Sequence, residues 1–174
     1  MNTLVIVSHP YASQSRVIKM LQQTVEARND TVVRNLESLY GNTISEFDVV
    51  AEQAASEDAD RIVFMYPTHW FNLTPNLKAY LNEVWTYGWA FGPGGEALKG
   101  KEMLVVTTAG ASEHLYSHDG LIDGTMDDVL TPMKASALYV GMKYVEPLAF
   151  FEVTQADKET LLDFQTKLSA RLQF

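Results

Sequence analysis

Leu4-Val5-Ile6-Val7-Ser8-His9-Pro10-Tyr11-Ala12-Ser13-Gln14-Ser15-Arg16-Val17-Ile18 is the stretch that decides the architecture. Its first four residues form a short continuous apolar run, the pattern of a strand buried on both faces of a parallel sheet. His9-Pro10 ends that strand. From Ser13 the period changes, and Val17, Ile18, Leu21 and Val25 recur at helical spacing behind Ser13 or Ser15 as N-cap. A buried strand followed by an amphipathic helix is the unit of an α/β fold, and the rest of the chain repeats it.

Downstream, Thr31-Val32-Val33-Arg34-Asn35-Leu36 predicts a second strand, and the acidic stretch from Phe47 to Asp58 a helix with Val49, Val50 and Ala54 on one face. Asp60-Arg61-Ile62-Val63-Phe64-Met65-Tyr66 is the next buried strand, stopped by Pro67, which has no amide hydrogen for a ladder. Thr74-Pro75 is a cap followed by proline at the first helical position, with Leu77, Leu81, Val84 and Trp85 as the apolar stripe behind it. After a glycine-rich loop from Gly88 to Gly100, Met103 to Thr108 predicts a fourth strand. A long polar connection, Ala109 to Gly124, leads to a helical stretch around Met126 to Leu138. Tyr144 to Phe150 is a fifth strand, and its Pro147 argues for a sheet edge. Thr154 opens the last helix, with Asp157 in a capping-box-like position and Leu161, Leu162, Leu168 and Leu172 along it. Five strands alternating with five helices imply a doubly wound α/β domain over residues 1–174, a parallel sheet with helices on both faces. Strand order 2-1-3-4-5 is favoured over Rossmann order, because the turn after the first strand lacks the GxGxxG fingerprint.

Composition narrows the function. With 13 Lys plus Arg against 22 Asp plus Glu, the formal net charge of −9 argues against binding to nucleic acid phosphates. The absence of Cys excludes thiolate nucleophiles, CxxC redox chemistry and Cys-ligated metal, so redox chemistry here requires a borrowed cofactor. No HxH or HExxH pattern occurs among the 4 His, and no metal site is expected. No stretch approaches the ~20 apolar residues needed to cross a bilayer, nor does the N-terminus resemble a signal peptide, so a cytoplasmic location is expected.

In an open α/β sheet, ligands sit beyond the carboxyl ends of the strands where strand order reverses. Three loops meet there. Ser8 to Arg16 is rich in hydroxyls, opens a helix and includes His9, Ser15 and the Arg16 cation, so it could hold a phosphate. Pro67-Thr68-His69-Trp70-Phe71 sets two large rings past a buried strand, a surface suited to a planar ligand. Thr107-Thr108-Ala109-Gly110 offers hydroxyls and close backbone approach to a heterocycle's polar edge. Taken singly, each has an ordinary explanation: N-capping, aromatic cover over the core, threonine at a strand end. Their convergence points to a flavin mononucleotide (FMN) site.

At these loops the chain resembles the flavodoxin-like NAD(P)H:quinone oxidoreductases, with their His-Pro start, Pro-x-x-Trp loop and Thr-Thr-Gly-Gly turn. It is most similar to the short bacterial members that serve as ancillary proteins of glutathione-regulated potassium-efflux systems, a likeness that includes Gly88-Trp89-Ala90-Phe91-Gly92-Pro93-Gly94-Gly95 and runs from about Leu4 to Phe151. The resemblance implies a flavodoxin-like fold, FMN as cofactor, NADPH or NADH as co-substrate, a quinone-like acceptor and a homodimer. It places His9, Ser15, Arg16, Val17 and Ile18 at the phosphate, with Pro67, Thr68, His69, Trp70, Thr107, Thr108, Ala109 and Gly110 around the ring, where the residue pattern adds Phe71. Ile18 stands where relatives often carry Asn, and Ala109 replaces the first glycine of the turn. Tyr116 matches a tyrosine of the family's substrate-side loop, but Ile122 falls where the mammalian relatives carry a His, which leaves His118 or His114 as proton donor; His114 reads as a solvated loop histidine, and His118 is the candidate. Two other readings are a regulatory subunit of a potassium-efflux antiporter, held at the inner membrane by that partner without membrane insertion, and a one-electron flavodoxin carrier. The cluster Trp85, Tyr87, Trp89 and Phe91 is expected at an interface, at a shared active-site wall or in the core.

Overall fold

The structure, a computed structural model, describes residues 1–173; Phe174, the last residue of the domain expected from the sequence, lies outside the described residues. Strands β1 (Thr3–Val7), β2 (Thr31–Asn35), β3 (Arg61–Pro67), β4 (Glu102–Thr108), β5 (Lys143–Tyr144) and β6 (Leu148–Phe150) form one sheet in the order β2-β1-β3-β4-β5, with β6 also on β4. All pairings are parallel. This is the order 2-1-3-4-5 that the sequence predicts.

Successive residues of a strand point to opposite faces, so the continuous apolar runs of β1, β3 and β4 feed two cores at once. Leu4, Ile6, Ile62, Phe64, Tyr66, Met103 and Val105 join one core, together with residues of α3 (Val49–Glu57), α4 (Pro75–Val84) and α6 (Thr131–Tyr139). The alternate residues Val5, Val7, Val63, Met65, Leu104 and Val106 pack with α1 (Arg16–Glu26) and α7 (Lys158–Arg171). Two short helices, α2 (Leu36–Tyr40) and α5 (Met126–Val129), complete the set. No helix of the described residues is long and apolar enough to cross a membrane.

Several elements differ in detail from expectation. Tyr144 to Phe150 is two short strands: four steps along this edge, Tyr144 to Leu148, match three along β4, Met103 to Val106. The extra residue is a bulge around Pro147, which cannot donate to the ladder. β3 runs one residue further and includes Pro67. The helix over 47–58 forms, but Glu52 and Ser56 are its buried residues while Val50 is 77% exposed. Inside, Glu52 Oε1 accepts from Arg34 Nε at 2.7 Å and from the Tyr40 hydroxyl at 2.5 Å, a polar anchor that an apolar pattern does not register. The 126–138 stretch is broken at Leu130, with Pro132 opening α6. In α7, Asp157 rather than Thr154 is the cap, accepting from the Thr160 N–H at 2.9 Å; Phe164 and Leu168 face inward while Leu162 is exposed. The aromatic cluster divides: Trp85 joins the core, Trp89 donates to Glu57 Oε1 at 2.6 Å, and Tyr87 is exposed.

α4 begins as predicted. Thr74 accepts from the Leu77 N–H at 3.3 Å, and its hydroxyl also bonds Ser8. Thr74→Ala is therefore expected to lower unfolding stability by about 1–2 kcal/mol, read as a lower urea midpoint at unchanged slope.

Candidate functional site

The carboxyl ends of β1, β3, β4 and β6 open onto a cleft of about 500 Å³, lined among others by His9, Ser15, Arg16, Pro67, Thr108 and Gly110. It lies where connections diverge from the centre of the sheet, the place a doubly wound topology reserves for ligands.

The first loop supplies one end. Ser15 occupies the N-cap position of α1 but makes no cap hydrogen bond; its hydroxyl is buried and has no hydrogen-bond partner among the described residues. An orphaned donor of this kind, beside the free N–H groups of a helix's first turn, is the chemistry of an anion site. Arg16 donates its guanidinium to the Ala156 carbonyl, which keeps its charge at the cleft edge. Val17 and Ile18 line the cleft and are buried.

His9 is held by two hydrogen bonds. Its backbone N–H donates to Glu37 Oε2 at 3.0 Å, and its Nδ1 accepts from the Tyr11 N–H at 3.0 Å. The proton of the neutral ring therefore sits on Nε2, as a donor. Burial, then the nearby His69, hold its pKa below the usual histidine value. Glu37 also accepts from the Ser8 hydroxyl at 2.7 Å, and Ser8 bonds Thr74 Oγ1 at 2.5 Å, which ties the first loop to the cap of α4. Sequence reasoning missed Glu37; a carboxylate just after an edge strand gives no motif.

In the second loop, Pro67 and His69 line the cleft, whereas Thr68, Trp70 and Phe71 do not. Thr68 Oγ1 shares a 2.7 Å hydrogen bond with Thr107 Oγ1, and Thr107 donates to the Tyr66 carbonyl at 2.9 Å. Both hydroxyls are buried and join the ends of β3 and β4, fixing the rim. Trp70 and Phe71 have φ of 49° and 60°, a left-handed pair between the bridged residues His69 and Asn72. Such φ values suit the centre of a type I′ turn, where Gly and Asn are usual, and cost of order 1–3 kcal/mol per residue for ordinary side chains. Trp70 is 92% exposed; the Phe71 ring lies 5.8 Å from that of Tyr116.

In the third loop Thr108 and Gly110 line the cleft. Ala109 joins the core instead, its N–H bonded to the Phe150 carbonyl at 2.8 Å, so its methyl takes no ligand space. A fourth segment that sequence reasoning missed, Val153 and Thr154 after β6, completes the wall, as do Tyr11 and Gln14. Only the strand order reveals that the edge strand ends at this rim.

Neither Tyr116 nor His118 lines the cleft. The Tyr116 ring sits 5.8 Å from Phe71 and 5.6 Å from Phe151, and burial raises its phenol pKa. His118 is 70% exposed, 3.5 Å from an Asp123 oxygen and 3.9 Å from one of Asp128.

Comparison with known proteins agrees with this geometry. The uncharacterized NAD(P)H oxidoreductase YdeQ of Bacillus subtilis is 38% identical over 160 residues, 91% of this chain and 80% of that one. The glutathione-regulated potassium-efflux system ancillary protein KefF of Salmonella typhimurium is 38% identical over 162 residues, 91% of this chain and 88% of its own. The crystal structure of general stress protein 14 from Treponema denticola, in complex with FMN, has a TM-score of 0.88 and 35% identity, covering 98% of this chain and 99% of that one. A family model described as flavodoxin-like fold matches residues 1–172, and the chain belongs to that family.

Proposed function

We propose that this protein is an FMN-dependent NAD(P)H:quinone oxidoreductase, cytoplasmic and homodimeric. The observation that carries the proposal is the orphaned Ser15 hydroxyl at the first turn of α1, opening into a cleft at the strand ends. It fits a phosphate, and the cleft beyond it, flanked by Pro67, Thr108 and Gly110, fits a flat heterocycle. The FMN bound by general stress protein 14 and the oxidoreductase name of YdeQ support the same reading.

In this account Ser15, the N–H groups of Arg16, Val17 and Ile18, and the His9 Nε2–H hold the phosphate, while Arg16 balances its charge. Pro67, His69, Thr108 and Gly110 orient the ring, on a rim kept rigid by the Thr68–Thr107 bond. Ala109 supports that rim from below, and Trp70 and Phe71 offer exposed aromatic surface to the incoming donor and acceptor. Tyr116 and His118 form the substrate side. FMN when bound supplies hydride acceptance and release; the protein supplies orientation and exclusion of water. Under anaerobic conditions NADH or NADPH is expected to bleach the FMN-loaded protein, and one equivalent of benzoquinone to restore its colour. Failure of both nucleotides to bleach it overturns the proposal, and a stable blue half-reduced form favours a one-electron carrier instead.

The likeness to KefF favours a second reading, an ancillary subunit docked on a potassium-efflux antiporter at the inner membrane. Co-purification with such a transporter, with transport unaffected by Tyr116→Phe, supports it.

A further inference from the structure

Of the 4 histidines, only His9 and His69 line the cleft. The proposed reaction needs an acid there. NAD(P)H gives up a hydride, two electrons with one proton, whereas a quinone reduced to a hydroquinone forms two O–H bonds; the second proton comes from outside the hydride, and a positioned acid delivers it faster than water does. His9 is poorly suited, because its Nδ1 is taken by the Tyr11 N–H and burial disfavours its charged form. Burial likewise makes the Tyr116 phenol a weaker acid, and His118 stands outside the cleft beside two carboxylates.

His69 meets the requirement. Neither of its ring nitrogens has a hydrogen-bond partner among the described residues, and its side chain is open to water. It faces the His9 ring edge-on at 5.5 Å and the Tyr11 ring at 6.1 Å. The Asn72 N–H donates to the His69 carbonyl at 3.3 Å, closing the strained Trp70-Phe71 turn behind it. A strained turn that sets one unpaired imidazole over a ligand cleft is the kind of outlier that accompanies function.

We propose that His69 is the acid that protonates the acceptor oxygen. An N–H bond of its imidazolium breaks, its electron pair stays on the ring, an O–H bond forms on the acceptor, and the neutral ring takes a proton back from water. NAD(P)H is oxidised and the acceptor reduced by two electrons. The inference rests on the oxidoreductase reading above.

The test compares parent and His69→Gln, matched for FMN loading, with two acceptors: benzoquinone, which must gain protons, and ferricyanide, which gains only electrons. The ratio of benzoquinone to ferricyanide turnover is expected to fall about 100-fold in His69→Gln. Independently of turnover, 4-nitrophenolate, which mimics the developing oxyanion, is expected to bind the variant about tenfold more weakly by absorbance titration. An unchanged ratio, unchanged nitrophenolate binding, or an acceptor-selective loss in His118→Gln instead overturns the assignment while leaving the oxidoreductase reading intact. A parent protein that oxidises NAD(P)H with neither acceptor overturns both.

Discussion

Ser15→Asp is expected to weaken FMN binding about 100-fold while leaving the unliganded protein at least as resistant to heat as the parent. The two halves of this result have one cause. Ser15 sits at the N-cap of α1 with its hydroxyl buried and unused, so in the proposed complex that hydroxyl is a donor to phosphate. Aspartate removes the donor, a loss of about 1.5–3 kcal/mol for a bond to a charged group, and sets a negative charge against the phosphate. About 2.7 kcal/mol in total is already a factor of 100. In the unliganded protein the same carboxylate is a good N-cap, facing the positive end of the α1 dipole, so helix stability is preserved. Fluorescence titration with FMN and a thermal melt of the apoprotein read the two effects separately. An affinity within about threefold of the parent contradicts the phosphate assignment.

The largest stability effect is expected at the other face of the sheet. Glu52 is fully buried, and its carboxylate is held by Arg34 and Tyr40. Arg34→Met leaves that carboxylate without its counter-charge in the core, which costs about 3–5 kcal/mol. Arg34→Met/Glu52→Gln should recover most of the loss, because a neutral amide needs no ionic partner and Tyr40 can still bond it. Urea unfolding reads both as shifts in midpoint at nearly constant slope. A single variant losing under about 1 kcal/mol, or a double variant no better than the single, contradicts a stability role for this ion pair.

Much of the fold was legible because the apolar pattern is consistent at every central element. Val17, Ile18, Leu21 and Val25 all bury, as their spacing requires, and the runs in β1, β3 and β4 fill two cores. Reading failed where a specific pairing outweighed pattern. Glu52 turns the polar face of α3 inward because Arg34 waits there, and the residue beside Pro147 becomes a bulge because the β4 ladder continues past it. The site was legible as loops but not as side chains. Thr107 and Thr108 were both expected to face a ligand, yet the register Tyr66↔Thr107 aims the Thr107 hydroxyl at Thr68 and leaves only Thr108 on the cleft. Trp70 is set outward by a left-handed turn that neither Trp nor Phe favours, so no local propensity announces it. Strand order alone brings Glu37 to the His9 backbone and the Val153-Thr154 segment to the cleft, and a single sequence shows that order indirectly.

The claim on which the rest depends is that the first turn of α1 is a phosphate site at the end of a ring-binding cleft. Fluorescence titration of the purified protein with FMN and, in parallel, with riboflavin, which has the same ring and no phosphate, tests it most directly. The account predicts that FMN saturates at one per chain and binds at least about 100-fold more tightly than riboflavin. Equal affinities for the two flavins, or no binding of either, would contradict it.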